Sequence, residues 1–307
     1  MKKDCKRMLS MALALTVCAA PMLFVSCAPT SPAGSSDDSH GESPNSSALH
    51  SNETTAPDTP NTTEPETTRH EPVSSEVTVK LRVGSYNIKH GADAGGDLTK
   101  IADTIKNAGL DICGVQEVDY MTTRCGGVDQ PAELAAASGL EYYRYTPAID
   151  YQGGKYGTLI LSRYPIESFE YTELNSGGKE QRAIGHAVIN VNGTKIDFFN
   201  THLSYESKGL RIMQFKQISH MLEVCENYIL TADFNTQEFS EFDTLGYGSI
   251  VNNDEHRFVT FPGSSSAIDN IVLSDSFAVH NTATVPQSYS DHRMLYSDIS
   301  LSVRTEE

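Results

Sequence analysis

Hydrophobic residues recur with two different periods along the chain from residue 77 onward. A two-residue alternation of apolar and polar side chains over 77–83 predicts a β-strand. Helical spacing predicts helices over 97–109, 131–138 and 209–225. Further strands are predicted over 110–118, 158–162, 228–232, 268–273 and 294–303. Two more, 183–191 and 194–202, flank Asn192-Gly193, which is a typical two-residue hairpin turn.

The order of these elements predicts the fold class. Strands arrive both as hairpins and between helices, and no internal repeat is visible. This mixture favours an α/β fold with four layers, in which two mixed, mainly antiparallel sheets pack together and are flanked by helices. Residues 77–307 are numerous enough for one large domain of this kind.

The first 76 residues have a different composition. Residues 1–27 combine a basic start with an apolar run that ends at Cys27, which resembles a bacterial lipoprotein signal with Cys27 as the lipidated residue. An ordinary cleaved signal or a single membrane helix are the alternatives. Residues 28–76 are rich in Ser, Thr and Pro and nearly lack large apolar side chains, so they are predicted to form a disordered tether. We therefore expect an exported protein, anchored to the cell membrane on its extracytoplasmic side.

Charge and cysteine content narrow the choice of partners. Residues 77–307 contain 18 Lys and Arg against 30 Asp and Glu, a net charge of −12. Tight, non-specific binding of nucleic acid usually needs a basic face, so nucleic acid is the less favoured partner. The cysteines of this part, Cys113, Cys125 and Cys225, are odd in number and lack metal-type spacing, so we expect buried free thiols.

Polar residues that could perform chemistry occur at the predicted ends of strands. Each of them alone is more simply explained as a turn or loop residue. Together they form an ordered set: Asn87, Glu117 in a Gln-Glu pair, His202 in Thr-x-His-Leu, Asp233 and Asn235 in Asp-x-Asn, Asp269 in Ile-Asp-x-Ile, and Asp291 with His292 in Ser-Asp-His. The other histidines, His90, His186, His220, His256 and His280, match no motif and are expected at surface or core positions.

This ordered set resembles the active-site signature of the endonuclease/exonuclease/phosphatase superfamily, which has the deoxyribonuclease I-like fold. The stretches 124–130, 157–165 and 260–262 are similar to the superfamily as well, so the resemblance spans nearly the whole predicted domain. One departure is Ala232, which stands where Gly is usual before the Asp. The resemblance implies a four-layer α/β sandwich and a metal-dependent hydrolase acting on phosphate esters.

The resemblance also implies a role for each residue. Glu117 would bind Mg²⁺, with Mn²⁺ as an alternative, and Asn87 and Asp291 would complete the metal site. Asp233 would deprotonate the attacking water, and Asn235 would hold that water or a phosphoryl oxygen. His202 and His292 would offer hydrogen bonds or positive charge to the phosphate, and Asp269 would fix the tautomer of His292. Asn87 and Arg124 are the candidates for substrate binding.

Three functions are compatible with these motifs to different degrees. The favoured one is a membrane-tethered, monomeric phosphoesterase whose substrate is a small molecule or a lipid head group. A secreted endo- or exonuclease would use the same residues, but the acidic charge and the compact spacing between motifs argue against it. A non-enzymatic binding module would need altered catalytic positions, and none of the catalytic positions is altered.

Overall fold

The computed structural model describes residues 74–286 and 289–306, which belong to one compact unit. The signal sequence predicted over 1–27 and nearly all of the linker predicted over 28–76 lie outside these residues. No helix in the described part of the chain is long and apolar enough to cross a membrane.

The described residues form twelve strands and three α-helices. The strands of the first half are β1 (Ser74–Asn87), β2 (Ile112–Tyr120), β3 (Tyr142–Tyr151), β4 (Gly154–Ser162), β5 (Ile166–Leu174) and β6 (Arg182–Val191). Those of the second half are β7 (Thr194–His202), β8 (Tyr228–Asp233), β9 (Ser249–Ile250), β10 (Asp269–Leu273), β11 (Phe277–Thr284) and β12 (Leu295–Glu306). The helices are α1 (Leu98–Asn107), α2 (Gln130–Ser138) and α3 (Lys208–Leu222).

The strands form two six-stranded mixed sheets with similar layouts. The order is β11-β12-β1-β2-β4-β3 in the first sheet and β5-β6-β7-β8-β10-β9 in the second. Each sheet has one parallel pair at its centre, β1–β2 and β7–β8, and every other pairing is antiparallel. The carboxyl ends of four central strands are therefore available to build a site at one edge of the two sheets.

Three hydrophobic clusters show how the layers pack. One lies between the sheets and includes Val83 and Ile160 from the first and Phe198 and Ile271 from the second. A second cluster joins the outer face of the first sheet to α1 and α2, and a third joins the outer face of the second sheet to α3. The layer order is helix, sheet, sheet, helix, which confirms the predicted four-layer α/β sandwich.

Local sequence signals explain where most elements begin and turn. The side chains of Asp97, Asp129 and Ser207 each accept a backbone hydrogen bond at the first turn of α1, α2 and α3. The turn between β6 and β7 has positive φ at Asn192 (54°) and Gly193 (97°), as the hairpin prediction requires. The predicted helix over 209–225 is three residues too long, because α3 ends at Leu222.

The strands that the sequence did not predict are the outer ones. β3 and β11 form the two edges of the first sheet, and β5 and β9 form those of the second. Most side chains of β5 and β11 are exposed or half-buried, so polar residues replace the apolar face that a central strand needs. The prediction of buried thiols holds for Cys113, whereas Cys125 and Cys225 are free but half-buried.

Candidate active site

The predicted residues converge where the central strands of the two sheets end. Asn87 is the last residue of β1, and His202 and Asp233 are paired in register as the last residues of β7 and β8. Asp269, the first residue of β10, is paired with Asp233 on its other side. The Asn87 Nδ2 atom donates to Asp233 Oδ2 at 2.9 Å and so joins the two sheets. Four motifs that are far apart in sequence therefore form one cluster.

Glu117 reaches this cluster through a bulge in β2. The sequence placed it at the end of a strand, but it lies inside β2, where the pairing with β4 shifts register between Val115 and Val118. Its φ of 58° is unusual for a residue other than glycine, a conformation that costs free energy and is concentrated at functional sites. The bulge brings Glu117 Oε1 to 3.0 Å from Asn87 Nδ2.

A buried polar layer supports the bulge from beneath. Asn200 Nδ2 donates to the carbonyl oxygens of Val115 and Leu159, at 3.0 Å each, which replaces ladder bonds that the bulge interrupts. Its Oδ1 accepts from Gln116 Nε2 at 2.8 Å. A Cβ at Gly114 would collide with Asn200 and the neighbouring side chains, so close contact between the sheets requires glycine there. The site therefore rests on a buried hydrogen-bond network that connects both sheets and leaves only the Oε1 atom of Gln116, among the atoms named here, without a partner.

Asp269 and His292 form the tightest acid–base pair of the cluster. His292 Nδ1 lies 2.9 Å from Asp269 Oδ2 and donates to it, and Nε2 faces Asp233 Oδ2, 3.7 Å away. Burial disfavours the charged imidazole, but the carboxylates of Asp269 and Asp233 outweigh it and raise the pKa of His292. His292 is therefore a cation at neutral pH in this arrangement.

Asp233 is a buried carboxylate with few donors. Its Oδ1 accepts from the backbone N of Asn235 at 2.9 Å, and its Oδ2 accepts from Asn87. Burial, and then the charge of Asp269, raise the pKa of Asp233 above its ordinary value. A carboxylate with a raised pKa is a stronger base than an exposed one, as removal of a proton from water requires.

His202 is neutral in this setting. Asn235 Nδ2 lies 2.9 Å from its Nε2, and Arg182 Nη1 lies 3.4 Å from its Nδ1. Burial, followed by the positive charges of Arg182 and His292, lowers the pKa of His202 well below its ordinary value. Of the two roles expected for His202, hydrogen bonding is the one that this environment favours, and positive charge is not.

Of the residues expected to hold a metal, Glu117 and Asp291 have partly exposed side chains and Asn87 is buried. Burial raises the pKa of Glu117, and Asp291 raises it further, so both carboxylates act on one region. Asp291 Oδ2 is 3.1 Å from Lys89 Nζ, and the Oδ1 atom of Asn87 accepts from the backbone N of Lys89. Within the described residues, one group of three acid and histidine ligand atoms at this site lies entirely within 4.8 Å, and it consists of Asp233, Asp269 and His292.

This donor set fits a hard divalent cation. Glu117 and Asp291 supply carboxylate oxygen, which Mg²⁺ prefers. In the described part of the chain, the ion-pair contact of Glu117 is with His90 Nδ1, 4.0 Å away, and burial lowers the pKa of that imidazole. A buried carboxylate with a raised pKa is stabilised by a positive charge beside it. His90, which matched no motif, therefore lies next to the site rather than at an unrelated surface or core position.

Arg124 lies in the segment after β2 and forms an ion pair with the nearby Asp119. Its Nε and Nη2 atoms donate to Asp119 Oδ2 and Oδ1 at 2.6 and 2.7 Å. Its guanidinium carbon lies 4.5 Å from the centre of the Tyr151 ring. These contacts fix the guanidinium by a bidentate ion pair and a cation–π contact. These contacts give Arg124 a structural role, whereas the sequence analysis named it as a candidate for substrate binding.

Arg182 is the residue that the sequence reasoning missed. It opens β6, only 4% of it is exposed, and besides His202 it contacts Glu180 Oε1 at 3.0 Å. Its Nε atom is buried without a hydrogen-bond partner, and its charge lowers the pKa of Glu117. A buried cation with a free donor in a cluster of acids is suited to bind an anion. The available signal was a lone Arg directly before the strand predicted over 183–191.

Comparison with known proteins identifies the family and agrees with the fold. The model of the Endonuclease/Exonuclease/phosphatase family matches residues 84–292, a span that contains every residue of the cluster, so the chain belongs to this family. Members of the family are hydrolases that act on phosphate esters.

Solved structures share the fold at low sequence identity. An endonuclease/exonuclease/phosphatase from Beutenbergia cavernae is 22% identical over 72% of either chain, with a TM-score of 0.62. A mannosyl-6-phosphatase from Bacteroides thetaiotaomicron is 21% identical over 71% of this chain and 99% of its own, with a TM-score of 0.56. A humanized TDP2 from D. rerio is 15% identical over 72% of this chain and 98% of its own, with a TM-score of 0.56.

Proposed function

We propose that this chain hydrolyses a phosphate ester with the help of a divalent cation, preferably Mg²⁺. The observation that carries the proposal is the buried cluster in which Asp233, with a raised pKa, lies between Asn87 and the Asp269–His292 pair. A base, a fixed cation and hydrogen-bond donors at one place are what phosphoryl transfer to water needs.

Each residue of the cluster has a distinct task in this proposal. Asp233 takes the proton of the attacking water, and Asn235, whose backbone fixes the Asp233 carboxylate, orients that water. His292, held as a cation by Asp269, places positive charge against the phosphoryl oxygens. Neutral His202 is a hydrogen-bonding partner, and Arg182 adds a second buried cation.

Glu117, Asn87 and Asp291 would hold the cation. When bound, Mg²⁺ neutralises charge on the phosphate and on the leaving oxygen. The Asn87 amide, which bridges Glu117 and Asp233, couples the position of this metal site to that of the base. Mn²⁺ has similar ligand preferences and is expected to substitute.

The proposed substrate is a small phosphate ester or a phosphorylated lipid head group. The acidic balance of residues 77–307, with 18 Lys and Arg against 30 Asp and Glu, supports this over a polyanion such as DNA. The mannosyl-6-phosphatase among the similar structures makes a sugar phosphate a reasonable first compound to assay.

Hydrolysis is tested with a panel of substrates in Mg²⁺ and in EDTA. The panel contains a hexose 6-phosphate, sphingomyelin, phosphoinositides, DNA, RNA and bis(p-nitrophenyl) phosphate. We expect turnover of a small or lipid-borne ester that EDTA abolishes, and Glu117→Gln should raise the Mg²⁺ concentration needed. Glu133→Gln, an exposed acid on α2, is the matched control. Equal turnover in EDTA and Mg²⁺ would refute metal dependence, and a preference for DNA or RNA would favour a nuclease.

We further propose that the enzyme is exported and anchored through Cys27. The basic start, the apolar run and the composition of residues 28–76 support this layout. Cells expressing the wild type or Cys27→Ser are fractionated with detergent. The wild type should partition with membranes and the variant should lose that partitioning. Release of both proteins into the medium in equal measure would refute the anchor and leave the phosphoesterase proposal standing.

A further inference from the structure

A second group of potential metal ligands lies at the far end of the β7–β8 pair. His186, Asp197 and Cys225 each offer one ligand atom, and these atoms all lie within 4.8 Å of one another. Asp197 precedes His202 of the active site by five residues on β7. At a rise of about 3.3 Å per residue this is roughly 16 Å, so the group is separate from the catalytic cluster.

The pairing of β6 and β7 places the side chains of His186 and Asp197 next to each other. His186 pairs with Phe199 across the β6–β7 ladder, and Asp197 is two residues before Phe199, so His186 and Asp197 are diagonal neighbours on the same face. The imidazole is stacked on the Phe199 ring, with 4.2 Å between ring centres and 9° between planes. This stacking fixes the ring and leaves its Nε2 atom 2.7 Å from Asp197 Oδ1.

Cys225 is brought to the same point by the loop that follows α3. Its backbone N donates to the carbonyl oxygen of Leu222 at 3.0 Å, and the backbone N of Asp197 donates to the carbonyl oxygen of Asn227 at 2.9 Å. These bonds hold the loop against β7. The group also lies beyond the C-terminal end of α3, where the helix dipole favours positive charge.

A fourth residue completes an arrangement typical of metal-binding histidines. Glu170 of β5 pairs in register with His186, and its Oε1 atom lies 3.5 Å from His186 Nδ1. A histidine that binds a metal through one ring nitrogen commonly donates the other N–H to a carboxylate, which fixes the tautomer. His186 has a carboxylate at each nitrogen, and the Cys225 sulfur lies within 4.8 Å of a carboxylate oxygen of Asp197, the partner of Nε2.

We propose that His186 Nε2, Asp197 Oδ1 and Cys225 Sγ bind Zn²⁺ as a second metal site, separate from catalysis. Nitrogen, sulfur and carboxylate oxygen are the usual ligands of zinc, which takes four ligands in a tetrahedron, whereas Mg²⁺ avoids thiolates. Three protein ligands leave the fourth position to water. On binding, the cation replaces the proton shared by His186 and Asp197 and the thiol proton of Cys225, both of which pass to solvent.

The site would act as a clamp on the fold. It would link β6 and β7 to the loop that leads into β8, the strand that ends in Asp233. Because side chains at the group are partly exposed, with 23% of His186 and 26% of Asp197 accessible, an ion can enter from solvent. The simpler alternative is a bare His186–Asp197 ion pair that uses no metal and no thiol.

Cobalt substitution distinguishes these alternatives. The full chain, purified in detergent and treated with a chelator, is titrated with Co²⁺ while the thiolate-to-cobalt charge-transfer band is recorded. The wild type should show a saturable band that one equivalent of Zn²⁺ removes. Cys225→Ser, His186→Gln and Asp197→Asn should each lose the band or weaken Co²⁺ binding at least tenfold. Cys125→Ser and His280→Gln are the matched controls and should retain it.

The band depends on sulfur, so Co²⁺ at the carboxylate-rich active site does not produce it. A wild type without a band would refute the zinc site. A band that persists in Cys225→Ser, or one that is lost in Cys225→Ser but unchanged in His186→Gln, would refute it as well. Near-native circular dichroism of each variant shows that a lost band does not reflect unfolding.

Discussion

Two buried aspartates, Asp119 and Asp233, lie in or near the end of a central strand and differ in how their charge is satisfied. Asp119 accepts hydrogen bonds from the Arg124 guanidinium at both oxygens and from Thr122 Oγ1 at 2.6 Å. Burial disfavours its charge, but these donors outweigh burial and lower the pKa of Asp119. Asp233 accepts from one backbone N–H and one amide, and burial raises its pKa.

The difference distinguishes a carboxylate that stabilises the fold, Asp119, from one that is suited to act as a base, Asp233. A carboxylate that accepts several charged hydrogen bonds is stabilised as an anion and is a weak base. A buried carboxylate with few donors is a stronger base and destabilises the folded state in proportion. We therefore expect changes at Asp233 to affect the rate of hydrolysis and changes around Asp119 to affect the free energy of unfolding.

The largest effect is expected for Asp233→Asn. The amide cannot accept a proton, so kcat should fall by about 10²–10⁴-fold, the usual contribution of general base catalysis. The free energy of unfolding should stay equal or rise, because an uncharged group replaces a buried anion with few donors. Steady-state kinetics and urea unfolding measure the two quantities. A variant that keeps its rate would contradict the assignment of Asp233 as the base, and one that unfolds more easily would contradict the view that its buried charge destabilises the fold.

Asp269 and His292 are expected to act as a unit on the same rate. His292→Ala and Asp269→Ala should each lower kcat by about 10²–10³-fold, because the first removes the imidazolium beside Asp233 and the second removes the carboxylate that orients it and favours its charge. The double variant should lose less than the product of the single losses. The coupling is obtained from kcat of all four proteins. Strictly multiplicative losses would show that the two residues contribute separately.

The same comparison, between a structural residue and one suited to catalysis, applies to the two arginines Arg124 and Arg182. Unlike Arg124, whose guanidinium forms a bidentate ion pair with Asp119, Arg182 has a buried donor atom without a partner, so we expect it to serve the substrate. Arg182→Gln should lower kcat/KM by about 10²-fold, in the range measured for loss of one preorganised donor. Arg182→Lys keeps the charge and should recover part of that loss. If both variants match the wild type, the charge at this position is structural, like that of Arg124.

The sequence predicted the positions of most site residues, but it did not predict the bulge and the buried contacts that support them. Asn87, His202, Asp233 and Asp269 could be placed at strand ends because apolar strands and polar motifs alternate in order. The ends of neighbouring strands must then meet at one edge. The bulge at Glu117 could not be predicted, because it depends on Asn200, which is 83 positions further along the chain and satisfies carbonyl oxygens of both β2 and β4.

The pairing of charges was equally hidden from the sequence. In the sequence, Arg124 and Arg182 are both single arginines near polar motifs. Only the tertiary contacts show that Arg124 donates to both carboxylate oxygens of Asp119. The edge strands β3, β5 and β11 were missed because most of their side chains are exposed or half-buried, so they lack the apolar pattern of a central strand. Features that depend on contacts between residues distant in sequence are therefore the ones that the sequence pattern does not predict.

The smallest effect on activity is expected for Arg124→Gln, which tests the structural side of the comparison. Removing the guanidinium leaves Asp119 buried with weaker donors, so the free energy of unfolding should fall by about 3 kcal/mol at pH 7. By contrast, kcat should change by less than about tenfold, because the contacts of Arg124 are with Asp119 and Tyr151. A large rise in KM with unchanged stability would instead support the substrate-binding role inferred from the sequence.

The pH dependence of this variant gives an independent test. The pKa of Asp119 in the folded wild type is lowered, so its stabilising contribution is complete above the unfolded pKa, about 3.9, and is lost as the pH falls through the folded pKa. The gap in unfolding free energy between wild type and Arg124→Gln should therefore be wide at pH 7 and narrow as the pH falls below about 4. Urea unfolding at pH 7, 5, 4 and 3 measures it. A gap that stays constant over this range would show that Arg124 stabilises the fold by packing on Tyr151 and not through the charge of Asp119.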